Sequence, residues 1–505
     1  MDTGRATARR HAPRPARLAT IPLCAALVLA GLATAAAGTE PPTVSLRPGA
    51  DIQAAVDRHP PGTRFRLEAG VHRLQSIVPK DGNRFSGAPG AVLSGARRLT
   101  AFVRHGSVWI ARGQTQEGRV NAAEFCRPGF PRCARPEDLF IDDAPLLHVG
   151  SRAAVGPGRW FFDYGADEIV IGDDPAGRTV ETSVTPRAFG GTASGVVIEA
   201  LTIEKYAAPI QAAAVDAEFG PGWTVRNSVL RLNHGVGVNA GNGSRILGNR
   251  ILDNGHAGFS GSGTDFLIAG NEIARNGYAG VDFHWEGGGG KITESAGGGL
   301  LRGNCVHDNV GAGLWADIDV HRLVIEDNLV FGNADNGITY EISYDGVIRG
   351  NRVADNGQRG QGWFWGAQIL ISSARGVKVY GNDIDVPAGY GNAVTVVSQD
   401  RAPYTPAVGN EIFDNRIVIR NADARVGAVT DVDTDNAAVA AGNRLYGNRY
   451  HLADPGERVW FWNDAEADWN AIRAQGQETA SVVQGGLPPK TPLACPSGML
   501  TEGKR

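Results

Sequence analysis

The 505-residue chain is poor in sulfur, with 5 cysteines and 2 methionines. Beyond residue 38 it has no apolar run long enough to span a bilayer, so no helical membrane anchor is expected in that part. It has no block of basic residues. Five arginines and one aspartate precede residue 38, so the net charge of −4 for the whole chain becomes about −8 for the rest. An acidic body of this kind offers no electrostatic footprint for nucleic acid. The eleven histidines are scattered. His284, His307 and His321 come nearest to one another but lack a compact zinc-ligand spacing, so no metal set is assigned. Helical periodicity is almost absent, which excludes a bundle.

A basic start (Arg5, Arg9, Arg10, Arg14, Arg17) precedes the apolar run IPLCAALVLAGLATAAAG, which closes on small residues. That is the layout of a leader for general secretion, residues 1–38, and it predicts a secreted or periplasmic protein. Four cysteines remain. Cys126 and Cys133 in CRPGFPRC form a short loop that an oxidising compartment can close, Cys305 is expected to be buried, and Cys495 sits in a tail as a free thiol.

Glycine is abundant, 69 of 505 residues, and the glycines belong to a repeat. From Asn227 the chain restates one phrase: RNSVLRLNHGVGV, GNRILDNGHAGFS, GNEIARNGYAGVDF, GNCVHDNVGAGLW, DNLVFGNADNGITY, GNRVADNGQ. Its lead asparagines are Asn227, Asn249, Asn271, Asn304, Asn328 and Asn351, with echoes at Asn382, Asn415 and Asn448. The strands in each unit are too short to bury a face alone, so the units must stack. A coil of about 22 residues with N-G corners resembles the right-handed parallel β-helix of the pectate-lyase-like superfamily. Stacked coils lie ~4.8 Å apart, which lets an identical amide at each corner bond to those above and below.

An all-β solenoid is therefore predicted. Residues 39–100 would supply a cap helix (ADIQAAVDRH) and the first coils, and 191–450 the main β-helix. Residues 101–190 break the period with WIARG, DLFIDDAPLLHVG, GRWFFDYGADEIVIG and TVETSV, read as an inserted antiparallel β-domain. Residues 451–505 form a C-terminal cap and tail, with AEADWNAIRAQG as its helix.

Aligning coils on the glycine that starts one strand gives GVDFHWE, GLWADID, GITYEIS and GAQILIS. Period two sends positions one, three and five inward and two, four and six outward. Asp282, His284 and Glu286, then Trp315, Asp317 and Asp319, then Thr339, Glu341 and Ser343 would face out. His284, Asp317 and Glu341 would stack in one column. Neighbouring strands hold two carboxyls near the ~5–5.5 Å used by retaining glycosidases. Like charges set directly opposite also cost stability, so substituting either is expected to leave stability unchanged or slightly raised.

The phrases G-L-W-A-D and I-T-Y-E-I-S resemble the G-x-W-L-D and F-V-E phrases of the β-helical β-xylosidases, retaining glycoside hydrolases that also carry a β-sandwich insertion. The resemblance implies Asp317 as nucleophile and Glu341 as acid/base, with no cofactor and a carbohydrate substrate. The chain departs from that family directly after Asp317, at I-D-V-H, which bears on the choice of sugar. Asp282, His284, Glu286 and Asp319 would support the pair, and Trp315, Trp363 and Trp365 would stack on sugar. The stretch EGGGGKITESAGGG and the stretch QRGQGWFWG would wall the site as insertions.

Two rivals compete. A polysaccharide lyase or epimerase would hold Ca²⁺ at Asp282, Glu286, Asp317 and Asp319, but needs a base, and Lys291 or Arg359 would have to reach in from loops. A non-enzymatic glycan-binding β-helix would leave the acidic column merely solvated.

Overall fold

The computed structural model describes residues 43–496 apart from 405, 432–438, 440–441 and 464, so the expected leader lies outside the described residues. Strands of three to seven residues recur three to a coil, because each alternating run ends at a corner that takes a left-handed residue or glycine. Each coil gives one strand to each of three long sheets, two of 13 strands and one of 12. Successive strands in a sheet pair in parallel, as at Ile246↔Ile268, Ile268↔Leu301, Leu301↔Ile325 and Ile325↔Ile348. These stacked aliphatics are fully buried and form one continuous core along the axis. Among the described residues, no helix is long and apolar enough to cross a membrane.

Two asparagine ladders turn the corners. The first runs through Asn249, Asn271, Asn304, Asn328, Asn351, Asn382, Asn415 and Asn448. Asn304 illustrates the bonding: its Nδ2 donates to Asn328 Oδ1 and to the Ile268 carbonyl, each at 2.9 Å. Its Oδ1 accepts from the Asn271 Nδ2 and backbone N–H. Every polar atom of the buried amide is used. Asn227 stands outside this ladder, exposed at φ 49°. Ser228 takes its place, its backbone N–H donating to Asn249 Oδ1. A second ladder, Asn233, Asn254, Asn276, Asn309, Asn333 and Asn356, serves the next corner.

The N-terminal end carries the helix Ile52–Arg58, capped by Asp51, with Ile52, Ala55 and Val56 packed into the core. At the far end, the helix Trp469–Ala474 is capped by Asp468. Strands between Ala96 and Ser183 take no part in the three long sheets. They form two smaller, mainly antiparallel sheets of four and five strands, packed around Trp160, Phe162, Ile169 and Leu139.

Two disulfides staple the molecule. Cys126–Cys133 closes the short loop, and Cys305 joins Cys495, so the thiol expected to be free is not free. The tail reaches Cys305 as a strap across successive coils. The Arg420 guanidinium donates to the Pro488 carbonyl, Lys490 pairs with Asp355, and Arg352 donates to the Thr491 carbonyl.

Candidate functional site

The strand Ala312–Asp317 pairs with Ile338–Glu341 in the register Leu314↔Ile338, Trp315↔Thr339, Ala316↔Tyr340. One step further, Asp317 and Glu341 end their strands on adjacent coils. Leu314, Ala316, Ile338 and Tyr340 point into the core, as the period requires.

The strand beneath them is a different one from that expected. It is Gly288–Thr293, in the register Gly288↔Ala312, Lys291↔Trp315, Thr293↔Asp317. The presumed insertion EGGGGKIT is thus the strand itself, and Asp282, His284 and Glu286 lie on the preceding loop, outside the column. Glycine hid this strand, because three consecutive residues without side chains show no alternation. They are glycine for a packing reason: a Cβ on Gly290 would lie 2.1 Å from the Phe259 ring and one on Gly289 2.2 Å from the Gly313 carbonyl oxygen.

The new register puts Lys291 in the outward row, where no basic residue was expected. Its Nζ lies 2.8 Å from Asp317 Oδ2 and 4.1 Å from the centre of the Trp315 ring. Lys291 and Asp317 are each 5% exposed. Asp317 Oδ1 is buried without a hydrogen-bond partner. Trp315, expected to be an exposed sugar platform, is buried and donates from Nε1 to Glu341 Oε2 at 3.2 Å.

Arg401 donates to Glu341 Oε1 at 3.2 Å. Burial pushes the Glu341 carboxyl up, and the charge of Asp317 adds to the push, while Arg401, Lys291 and the Trp315 N–H oppose it; the net result is about 7. The two carboxyls therefore have unlike surroundings: Asp317 is matched to a buried cation and Glu341 is poised to hold a proton near neutrality.

Glu341 opens on a cavity of about 210 Å³ lined also by Trp315, Thr339, Trp365, Arg401 and Asp335 among others, whereas Asp317 lies behind its wall and does not line it. His284 also lines it, although it stands on the loop. That loop is held by the inserted segment: Trp285 stacks on Phe125 at 3.9 Å, and the Asp282 N–H donates to the Phe125 carbonyl. Trp285 is thus packed outside the solenoid core it was expected to join.

The remaining candidates disperse. Glu286 accepts from Gln211 Nε2 at 2.8 Å, Asp282 lies 3.3 Å from His284 Nδ1, and Asp319 lies 3.3 Å from His321 Nε2. Ile318 and Asp319 adopt positive φ, so the strand ends at Asp317; Ile318, expected in the core, is 41% exposed. With Asp317 bound to Lys291, the four carboxylates assigned to Ca²⁺ serve four different partners. Trp365 reaches the cavity, but Trp363 does not line it and is 46% exposed. Among the described residues, the one group spaced to hold a metal is Cys305, His307 and Cys495, and both its sulfurs are in the disulfide.

Sequence reasoning named Lys291 only as a loop-borne base for the lyase reading and Thr339 only as an outward-facing residue, and it missed Arg401 and Asp335. Arg401 comes from a turn 60 residues beyond Glu341 that breaks the repeat, so its partner had no sequence signal. Asp335 did leave one, an acidic residue where the coil below has Gly311.

These features define a right-handed parallel β-helix with a cleft on its side wall, and the family described as a right handed beta helix region matches residues 212–384. XylC, solved in complex with xylose, is similar in structure: 14% identity, 86% of this chain and 79% of that one covered, TM-score 0.51. A glycoside hydrolase aligns at 10% identity, covering 87% and 96%, with TM-score 0.39. The A-module of the Azotobacter vinelandii mannuronan C-5 epimerase AlgE4 aligns at 16%, covering 75% and 92%, with TM-score 0.41. No curated protein matches the chain by sequence. At 14% identity the likeness to XylC is one of fold.

Proposed function

We propose that the protein is a carbohydrate-active enzyme that hydrolyses glycosidic bonds with retention, using Asp317 and Glu341. The observation that carries this reading is the pairing of two carboxyls on adjacent coils with opposite surroundings. Asp317 faces the Lys291 ammonium, and its unpartnered Oδ1 is the oxygen that would attack the anomeric carbon. Glu341, raised to about 7, would deliver its proton to the leaving oxygen and then take one from water. Two steps with one inversion each give net retention.

The leader-like residues 1–38, together with two disulfides, support export to an oxidising compartment. The lyase reading gains the base it lacked, since Lys291 and Arg401 both touch the acidic pair. It loses its cation site, because the four carboxylates do not converge.

The test is product analysis on a panel of aryl glycosides and polysaccharides, with and without chelator. Proton NMR of the first-formed product should give the anomer of the substrate, unaffected by chelator. An inverted anomer, or an unsaturated uronate whose appearance chelator abolishes, would overturn the proposal.

A further inference from the structure

Of the two carboxyls in the proposed mechanism Glu341 lines the cavity, and a further carboxyl, Asp335, lines it too. Asp335 precedes the strand Ile338–Glu341 by three residues while Glu341 closes it, so the coil presents one carboxyl at each end of the strand. Asp335 is 7% exposed and accepts from its neighbour Asn336 alone, through the backbone N–H and through Nδ2 at 3.3 Å. Thr339, on the strand between the two carboxyls and in the cavity wall, has a buried Oγ1 with no partner. Buried polar atoms are ordinarily satisfied, and an unpartnered buried hydroxyl between two carboxyls that line one cavity marks a surface shaped for a polar ligand.

Burial pushes the Asp335 carboxyl up to about 6, a rise that His284, lining the same cavity, opposes. The position of His284 is imposed from outside the solenoid. The Phe125–Trp285 stack fixes its loop, the Arg127 N–H donates to the Gly280 carbonyl, and the Arg127 guanidinium lies 5.4 Å from the centre of the Phe283 ring. The Cys126–Cys133 disulfide closes the loop that makes these contacts.

We propose that Asp335, which shares this cavity with His284, binds the hydroxyls of a sugar ring there and determines which hydroxyl pattern the cleft accepts. A carboxylate accepts two O–H bonds at once, and the Thr339 hydroxyl can donate or accept beside it. A site built to bond a hydroxyl strongly rejects the analogue that lacks it, because its own buried groups are then left unpaired. The inference rests on the reading of the cavity as a saccharide site, but not on the hydrolytic step.

The test is a fluorescence titration of the full chain, read through Trp315 and Trp365. The probes are D-xylose, D-glucose, D-galactose, D-mannose and L-arabinose, then the mono-deoxy analogues of the tightest binder. Asp335→Asn should bind that sugar at least about tenfold more weakly. It should also lose most of the discrimination against one deoxy analogue. His284→Gln, on an exposed loop, should weaken binding less and keep the same preference order. Unchanged affinity and discrimination in Asp335→Asn, or no binding of any probe to the wild-type chain, would overturn the proposal. Repeating the titration in Glu341→Gln separates the two readings. Binding there without any wild-type turnover defeats the hydrolase and leaves Asp335 standing, whereas turnover with an unaffected Asp335→Asn does the reverse.

Discussion

The asparagine ladders and the cleft are built from the same coils, yet they treat buried polar atoms in opposite ways. In the ladders each amide spends its donors and acceptor on its neighbours, with amide-to-amide bonds of 2.8–3.1 Å, coil after coil. On the wall that carries the cleft, elsewhere on the same coils, Asp317 Oδ1 and Thr339 Oγ1 are buried without a hydrogen-bond partner. A charged pair, Lys291–Asp317, is held out of water beside them. The repeat secures its amides where it is regular, and the proposed chemistry sits where the regularity is broken by Lys291, Asp317 and Glu341.

If that contrast holds, substitutions in the two regions should separate cleanly into activity and stability. The largest effect is expected at Glu341→Gln and Asp317→Asn, each lowering kcat by ~10²–10⁴-fold or more, since each removes a group acting in the transition state. Asn328→Ala, in the ladder, should leave kcat within a few-fold, and kinetics on purified variants checks both.

Stability sharpens the comparison next. The like-charge argument predicted that losing either carboxylate is neutral or stabilising, but Lys291 changes the sign for Asp317. Lys291→Met leaves a buried carboxylate without its cation, and unfolding by denaturant should show a loss of roughly 3–5 kcal/mol. Asn328→Ala strands ladder partners on both sides and should cost ~1–3 kcal/mol in the same assay.

Opening the strap by Cys305→Ser is expected to cost ~2–4 kcal/mol, with little change in kcat. A denaturation midpoint unaffected by reductant in the wild type would contradict this.

The smallest effect is in pH. Glu341 is raised from 4.5 to about 7 in the folded chain, so the folded state keeps a proton that the unfolded chain releases. Its contribution to stability is fully present below 4.5 and is lost as pH rises through about 7. Activity should fall across the upper part of the same window as the general acid ionises, and Glu341→Gln should flatten the thermal-stability profile there.

The fold was legible because a repeat states its own geometry many times over. Asn249, Asn271 and Asn304 recur at coil spacing, and period-two alternation assigned Leu314, Ala316, Ile338 and Tyr340 correctly to the core. The adjacency of Asp317 and Glu341 followed from the same count. The count failed wherever side chains were missing or the backbone left the extended region. Gly288 to Gly290 carry no alternation, so the loop holding Asp282 and His284 was mistaken for the strand. Positive φ at Ile318 ended a strand that the alternation continued.

By itself, then, the sequence determined the solenoid, its corners and which two carboxyls end adjacent strands, because these depend on local period and on repetition. Only the tertiary structure decided their partners. Lys291 reaches Asp317 through a shifted register, Arg401 reaches Glu341 from 60 residues on, and the inserted segment holds the loop of His284 by the Phe125–Trp285 stack. Each of these contacts joins segments that no repeat relates, so their spacing in the chain carries no trace of their distance in space.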